Sequence, residues 1–338
     1  MSLLDLPNEL IVCIVEHIDT DADINAFSQT CRLICELGTP WLYRHNAEHS
    51  ESSALIWAAE KGLESTARKS LLHGGDIETP EYEESPLILA VQNNHVSLVR
   101  YFLSQGARVH RMDERYKTPL FWAVTKRNES SISLLLENGA CMDHKDLRGH
   151  TPVFEAAETG QDKILQRFLD LGGNPQVRQT IGRTPIMFAA EKGHERAVQV
   201  LLDAGVIIDL RDFGGSTALS WAAGKGHTET VRLLLDRGAG LEREDVYGQT
   251  PLLMAARGGH EETFRFLVDR GADAEFRDRH GRASIDWAVE QGYTGILKFL
   301  LELGIDPCSE DTYGKTLLER ATSRGPAAVA KLLEDKIA

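Results

Sequence analysis

The chain has 338 residues, of which 42% are hydrophobic and 26% are charged, and its net charge at pH 7 is −14. This composition is typical of a folded protein with one large core or several modules. The excess of acids argues against nucleic-acid binding, which requires a basic face toward the phosphates, so we expect no nucleic-acid partner.

The sequence contains no candidate membrane span, because no apolar run approaches the roughly 18 residues that cross a bilayer. The first residues include Asp5, Pro7 and Glu9 and lack a basic stretch, so a signal peptide is not expected. The five cysteines are scattered without a Cys-x-x-Cys pair, which is typical of free thiols in a reducing compartment. We therefore expect a protein of the cytoplasm, the nucleus or both, without a membrane partner.

The first predicted elements are three short helices within residues 1–48, a segment that we call the head. Apolar residues recur about every four positions after Pro7, and a second apolar stripe runs from Ile24 to Cys35. The third segment, "PWLYRHNA", begins at Pro40. A core this small rarely stands alone without a disulfide or a metal, so we expect the head to pack on another surface.

The head segments "LLDLPNELIVCIVEHI", "DINAFSQTCRLICEL" and "PWLYRHNA" resemble an F-box domain over about residues 2–48. F-box domains dock on the Skp-type adaptor of Skp/cullin ubiquitin ligases, so the resemblance implies that partner. Carried over position by position, it implies an adaptor contact at Leu6, Pro7, Leu10, Ile14, Phe27, Trp41 and Leu42. The alternative is that residues 3–35 only cap the units that follow, although a cap has no use for the Trp-Leu segment.

From about residue 51 the chain repeats itself every 33 residues. The motifs are "SALIWAA", "SPLILAV", "TPLFWAV", "TPVFEAA", "TPIMFAA", "TALSWAA", "TPLLMAA", "ASIDWAV" and "TLLERAT". The nine units start near residues 53, 85, 118, 151, 184, 217, 250, 283 and 316. Apolar stripes of helical period predict two helices in each unit, and a glycine two residues before the Thr predicts a hairpin turn with positive φ.

These units resemble ankyrin repeats, and the resemblance covers residues 51–338. It implies an all-α fold in which helix pairs stack into a solenoid with hairpin turns, following the small three-helix F-box-like domain. One departure from the family pattern is the same in every unit. The histidine of the family's "TPLH" motif is absent from every unit, which puts its hydrogen bonds between repeats in doubt.

Other side chains recur at fixed positions of the repeat. Histidines begin the second helices at His95, His194, His227 and His260. Because they lie on successive units, we expect structural roles for them and no metal site. The tryptophans at one position, Trp57, Trp122, Trp221 and Trp287, are expected to fill interfaces between units. No Ser/His/Asp set, carboxylate dyad or glycine-rich phosphate loop stands out, so we expect neither an enzyme nor a cofactor.

The hairpin tips vary from unit to unit and are expected to point into solvent. Exposed apolar side chains there would lower solubility without any packing benefit unless they touch a partner. The predicted partner-binding residues are Arg148, Ile181, Arg183, Phe213, Val246, Tyr247, Arg279, Arg282 and Tyr313. Around Arg277 and His280 the tip is basic, which suits an acidic or phosphorylated segment, although a solvated turn of mixed charge is an equal alternative.

Together these patterns predict a substrate receptor. The head would bind the Skp-type adaptor of a ubiquitin ligase, and residues 51–338 would present a target protein that the sequence does not identify. The alternative is a non-degradative scaffold or inhibitor in which the head is only a cap.

Overall fold

The computed structural model describes residues 53–78, 84–306 and 314–337. All the secondary-structure elements within these ranges are α-helices, which confirms the predicted all-α fold there. The head and Tyr313 lie outside the described residues, and so do the adaptor contacts predicted in the head. Within the same ranges, each helix is too short or too polar to cross a membrane. The chain divides into two compact units, one up to Leu147 and one from Arg148.

The first unit contains three helix pairs among its described residues. They are α1 (Ser53–Lys61) with α2 (Glu64–Leu72), α3 (Pro86–Gln92) with α4 (Val96–Ser104), and α5 (Pro119–Thr125) with α6 (Glu129–Glu137). The first helix of each pair packs on the first helix of the next, and the second helices pack on one another in the same order. Each pair thus buries its apolar faces against its neighbours.

The second unit contains six such pairs among its described residues. They are α7 (Pro152–Glu158) with α8 (Asp162–Asp170), α9 (Pro185–Glu191) with α10 (Glu195–Asp203), α11 (Ala218–Gly224) with α12 (Thr228–Asp236), α13 (Pro251–Gly258) with α14 (Glu261–Asp269), α15 (Ser284–Gln291) with α16 (Thr294–Glu302), and α17 (Leu317–Arg324) with α18 (Ala327–Ile337). Successive first helices pack on one another from α7 to α17, and second helices do the same from α8 to α16.

The "TP" motif starts the first helix of a repeat by local chemistry. The Thr151 hydroxyl accepts a hydrogen bond from the Phe154 N–H at 3.3 Å, which satisfies one of the free donors at the start of α7. Pro152 occupies the first helical position, where its missing N–H leaves no bond unmade. The predicted position of these helices is therefore determined by residues within one turn.

The core of each repeat is made of small and branched apolar side chains at helical spacing. In the repeat that begins at Thr184, Ala189 and Ala190 of the first helix are fully buried, as are Val198 and Leu201 of the second. The alanines allow neighbouring first helices to approach closely, so the predicted apolar stripe is the stripe that is buried.

Histidines connect successive repeats through hydrogen bonds. The His227 Nε2–H donates to the Glu191 carbonyl at 2.9 Å, and His260 donates to the Gly224 carbonyl at 3.1 Å. In the first unit His95 donates to the Glu60 carbonyl at 2.9 Å. The structural role expected for these histidines is confirmed. They provide bonds between repeats in a chain without the "TPLH" histidine.

Candidate functional site

An aspartate organises several of the hairpin tips. In the repeat that begins at Thr250, Asp245 Oδ1 accepts hydrogen bonds from the N–H groups of Tyr247 and Gln249, both at 2.8 Å. Gly248 has φ of +75°, the positive value predicted for the turn. This carboxylate was not among the predicted site residues, although Asp recurs five residues before the repeat's first residue at 113, 146, 212, 245, 278 and 311.

Backbone hydrogen bonds join neighbouring tips of the second unit. The Phe213 N–H donates to the Ile181 carbonyl at 3.1 Å, and the Val246 N–H donates to the Gly214 carbonyl at 2.9 Å. The Arg279 N–H continues the series by donating to the Tyr247 carbonyl at 3.0 Å. Each of these hydrogen bonds joins the tip of one repeat to the tip of the next and fixes the position of one against the other.

Four apolar side chains lie exposed on these joined tips, and we call them the tip strip: Ile181, Phe213, Val246 and Tyr247. Their exposed fractions are 56%, 71%, 44% and 58% respectively. The Phe213 ring lies against Gly182, where an added Cβ would meet it at 2.6 Å. The predicted exposure of these four residues is confirmed. Because Gly182 has no side chain, the Phe213 ring can pack directly against its backbone.

The prediction of exposure was wrong for four residues that directly follow a turn glycine, His150, Arg183, Ser216 and Gln249, which are buried. Arg183 is only 6% exposed, because its guanidinium bonds the Glu191 carboxylate at 2.5 Å and lies between the rings of Phe188 and Trp221. The positive φ of Gly182 reverses the chain, so the next side chain turns back toward the helices.

The same inward contact recurs in other repeats between residues eight positions apart. Gln249 accepts a hydrogen bond from Arg257 at 3.3 Å, and His150 lies 3.6 Å from the Glu158 carboxylate. Arg282 instead bonds Asp278 and stays partly exposed. Of the predicted arginines, Arg148 and Arg279 are exposed at the tips and Arg183 is not.

The four tryptophans at one position of the repeat differ in burial. Trp287 is buried, Trp122 and Trp221 are half-buried, and Trp57 is about half-exposed. The prediction that these tryptophans fill interfaces between units fits the buried Trp287 best and the half-exposed Trp57 least.

One group of side chains within the described residues could meet a metal ion: His150, Glu155 and Glu158 place possible ligand atoms within 4.8 Å of one another. His150 and Glu158 occupy the positions that Arg183 and Glu191 hold one repeat later, where they form an ion pair. The His150 ring also stacks on Phe154 with centroids 4.1 Å apart. These contacts fit the polar pairing that recurs along the repeats.

Comparison with known protein families identifies the repeats. A family model described as "Ankyrin repeats (3 copies)" matches residues 30–113, 109–179, 153–245 and 238–311. The first matched span begins inside the predicted head. No curated protein matches the chain. The matched spans together cover residues 30–311, and the chain therefore belongs to the ankyrin-repeat family.

Proposed function

We propose that this chain is the substrate-recognition subunit of a Skp/cullin/F-box ubiquitin ligase, in which the head docks the adaptor and the repeats hold a target protein. Ankyrin repeats are protein–protein interaction modules and are typically not enzymes. The role of substrate-recognition subunit is supported by the F-box resemblance of the head and by the tip strip of the second unit.

The tip strip is the observation that supports target binding. Four apolar side chains stand exposed on tips whose backbones are hydrogen-bonded in series. Aromatic anchors on a rigid support lose little conformational entropy on binding, and such residues account for most of the energy of protein interfaces. The exposed guanidinium-bearing residues Arg148 and Arg279 flank the strip as polar rim positions.

Target binding is tested by removing the two aromatic anchors. Phe213→Ser/Tyr247→Ser should lose a defined set of neighbours in proximity labelling with the full chain, because it removes the largest apolar surface of the strip. Leu171→Ser/Leu303→Ser is the matched control, since both leucines are about half-exposed at the ends of second helices, away from the tips. Identical sets of neighbours for both variants and the unchanged protein would contradict the proposal.

Adaptor docking is tested by a pull-down with the purified Skp-type adaptor. Leu6→Ala/Pro7→Ala should recover much less adaptor than the unchanged chain, because both residues match the adaptor contact of F-box domains. Equal recovery of the adaptor by the two proteins would remove the ligase role and leave the repeats as a binding module alone.

A further inference from the structure

Trp287 in the repeat that begins at Ala283 is approached by two guanidinium groups. Arg282 Cζ lies 4.1 Å from the centroid of the Trp287 ring, and Arg257 Cζ lies 5.5 Å from it. Arg257 is exposed and Arg282 is partly exposed. The ring attracts both cations by its quadrupole and holds them at the surface of the helices.

Equivalent tryptophans in other repeats use the hairpin aspartate as a hydrogen-bond acceptor. The Trp122 Nε1–H donates to Asp113 Oδ2 at 2.8 Å, and the Trp221 Nε1–H donates to Asp212 Oδ2 at 3.0 Å. In these two repeats the residue after the turn is Lys117, which follows Tyr116 with φ of +60°, or Ser216, which follows Gly215. Neither bonds the aspartate through its side chain in the hydrogen bonds described.

Arg282 changes this arrangement in the repeat of Trp287. Its Nε donates to Asp278 Oδ2 at 3.3 Å, so the oxygen equivalent to the indole acceptor of the other two repeats is drawn toward the guanidinium. Among the described residues the buried Trp287 Nε1–H has no hydrogen-bond partner. Since a buried donor without an acceptor is unfavourable, one additional carboxylate near Arg282 would satisfy both groups.

The surrounding charge favours an anion. Four arginines, Arg257, Arg277, Arg279 and Arg282, form what we call the arginine cluster. The ion pairs of this cluster among the described residues are with Asp278 and Asp286, which leaves a surplus of two positive charges on a chain whose net charge is −14. Arg279 is exposed, and its backbone N–H bonds the Tyr247 carbonyl, so the cluster continues directly from the tip strip.

We propose that the arginine cluster binds a run of Asp and Glu side chains on the protein that the tip strip holds, an inference that rests on the proposed function. One carboxylate takes the Arg282 guanidinium and releases Asp278 to accept the Trp287 Nε1–H. Neighbouring carboxylates meet Arg257 and Arg279. Acids spaced along a segment suit cations spread from a helix end to a hairpin tip, whereas a phosphate concentrates its charge at one point.

The first test measures binding of fluorescein-labelled octaglutamate to the full chain by fluorescence anisotropy at low ionic strength. Arg257→Gln/Arg279→Gln should weaken binding about fivefold, because two exposed ion pairs are lost, and added salt should reduce the difference. Both side chains are exposed, so the fold is retained. The matched control is Arg196→Gln/Lys298→Gln, which removes two exposed charges from second helices of the same unit.

The second test follows the indole N–H signals of the five tryptophans by NMR. Trp287→Phe assigns the Trp287 signal. Octaglutamate should shift that signal downfield as the indole gains its acceptor, more than it shifts the other four. A stationary Trp287 signal would overturn the inference. So would equal weakening by the control variant, or tighter binding of a phosphoserine peptide of equal charge.

Failure of this inference is distinguishable from failure of the proposed function, because octaglutamate binding needs no partner protein. If octaglutamate does not bind while Phe213→Ser/Tyr247→Ser still loses its neighbours, the arginine cluster alone is wrong. If octaglutamate binds as expected and that variant loses no neighbours, the cluster is supported and the proposed use of the tip strip is wrong.

Discussion

At the scale of single residues, the glycines that follow the two helices of a repeat differ in what they require. Gly193 has φ of +70°, which side chains with a Cβ rarely adopt, and an added Cβ would lie 2.6 Å from Nδ1 of His227 in the next repeat. Gly205 has a similar φ of +78° but meets nothing within 4 Å. One glycine therefore permits a turn, and the other also permits a contact between repeats.

This pair gives a prediction about stability. Gly205→Ala should lower the free energy of unfolding by about 1–2 kcal/mol, the strain of a left-handed residue. Gly193→Ala should lower it by roughly a further 1–3 kcal/mol, because the methyl group displaces the His227 ring. Urea unfolding of both variants measures the difference.

The control for that prediction is a double-mutant cycle. If the second loss arises at the imidazole, Gly193→Ala should be less damaging in a His227→Ala background than in the natural chain. Equal losses for Gly193→Ala and Gly205→Ala would show that the histidine contact contributes nothing.

A carboxylate at the end of a second helix gives a prediction about pH. The Gln199 amide donates to both oxygens of Asp203 at 2.8 Å, and Arg237 donates to one of them at 3.0 Å. The Gln199 hydrogen bond is the largest cause that holds the pKa of Asp203 below its ordinary value. Burial opposes it, and the hydrogen bond and charge of Arg237 each lower the pKa by less. The lowered pKa means that this stabilisation is present above the pKa of the unfolded chain and is lost as pH falls through the folded pKa.

Gln199→Ala should therefore raise the pKa of Asp203 toward its ordinary value, and Arg237→Gln should raise it less. Titration of the Asp203 carboxyl carbon by NMR measures both. The stability difference between Gln199→Ala and the natural chain should be small, because Asp203 is exposed, and it should disappear in acid. A larger pKa change in Arg237→Gln than in Gln199→Ala would contradict the assignment.

At the scale of elements, the hairpin that carries Val246 and Tyr247 depends on one carboxylate. Asp245 Oδ1 receives two backbone N–H groups across the turn, and the Asp245 N–H donates to the Gln249 carbonyl at 3.0 Å. The tip that carries Val246 and Tyr247 is thus shaped by a buried acid. Two hairpins earlier in the chain, Gln179 occupies the equivalent position. Its amide oxygen accepts a hydrogen bond from the Ile181 N–H at a longer 3.3 Å.

Asp245→Ala should loosen the tip while leaving the helices in place. The amides of Tyr247 and Gln249 should exchange with solvent faster, and the free energy of unfolding should fall by about 1–3 kcal/mol, because hydrogen bonds to a charged acceptor are lost. Hydrogen exchange by NMR reports on the individual amides. Unchanged exchange at both residues would show that the backbone alone determines the tip.

At the scale of the whole molecule, charge is unevenly distributed along the chain. Residues 1–84 have 16 acids and 5 bases, a net charge of −11, whereas the other residues have 35 acids and 32 bases, a net charge of −3. The proposed adaptor contact belongs to the acidic part, and the tip strip and arginine cluster belong to the nearly neutral part. Two surfaces with separate partners are what a substrate receptor requires.

Deletion of residues 1–48 distinguishes a receptor from a scaffold. A receptor without its head should still bind its target, and the half-life of the target should lengthen as it does under proteasome inhibition. Pulse-chase measurement of the target, once identified by proximity labelling, tests this. An unchanged half-life would favour the non-degradative scaffold or inhibitor.

The candidate site was partly predictable from the sequence. Ile181, Phe213, Val246 and Tyr247 were predicted to be exposed because each lies before or beside a turn glycine, a feature of a few neighbouring residues. Asp245 was not predicted as a site residue, although the recurrence of Asp at its position in the repeat could have indicated it. The sequence could not predict that Arg183 turns inward, because its three partners lie 5, 8 and 38 residues away and meet only in the folded chain.

The sequence by itself determined the period of the repeat, the start of each first helix in the described residues and the turns with positive φ, because caps, prolines, glycines and apolar stripes act within one or two turns. Only the tertiary structure decided which tip side chains remain free and which are bound. It alone showed that Arg282 bonds Asp278 while the Trp287 Nε1–H beside it has no partner among the described residues, since this depends on how the chain brings a hairpin and a helix together.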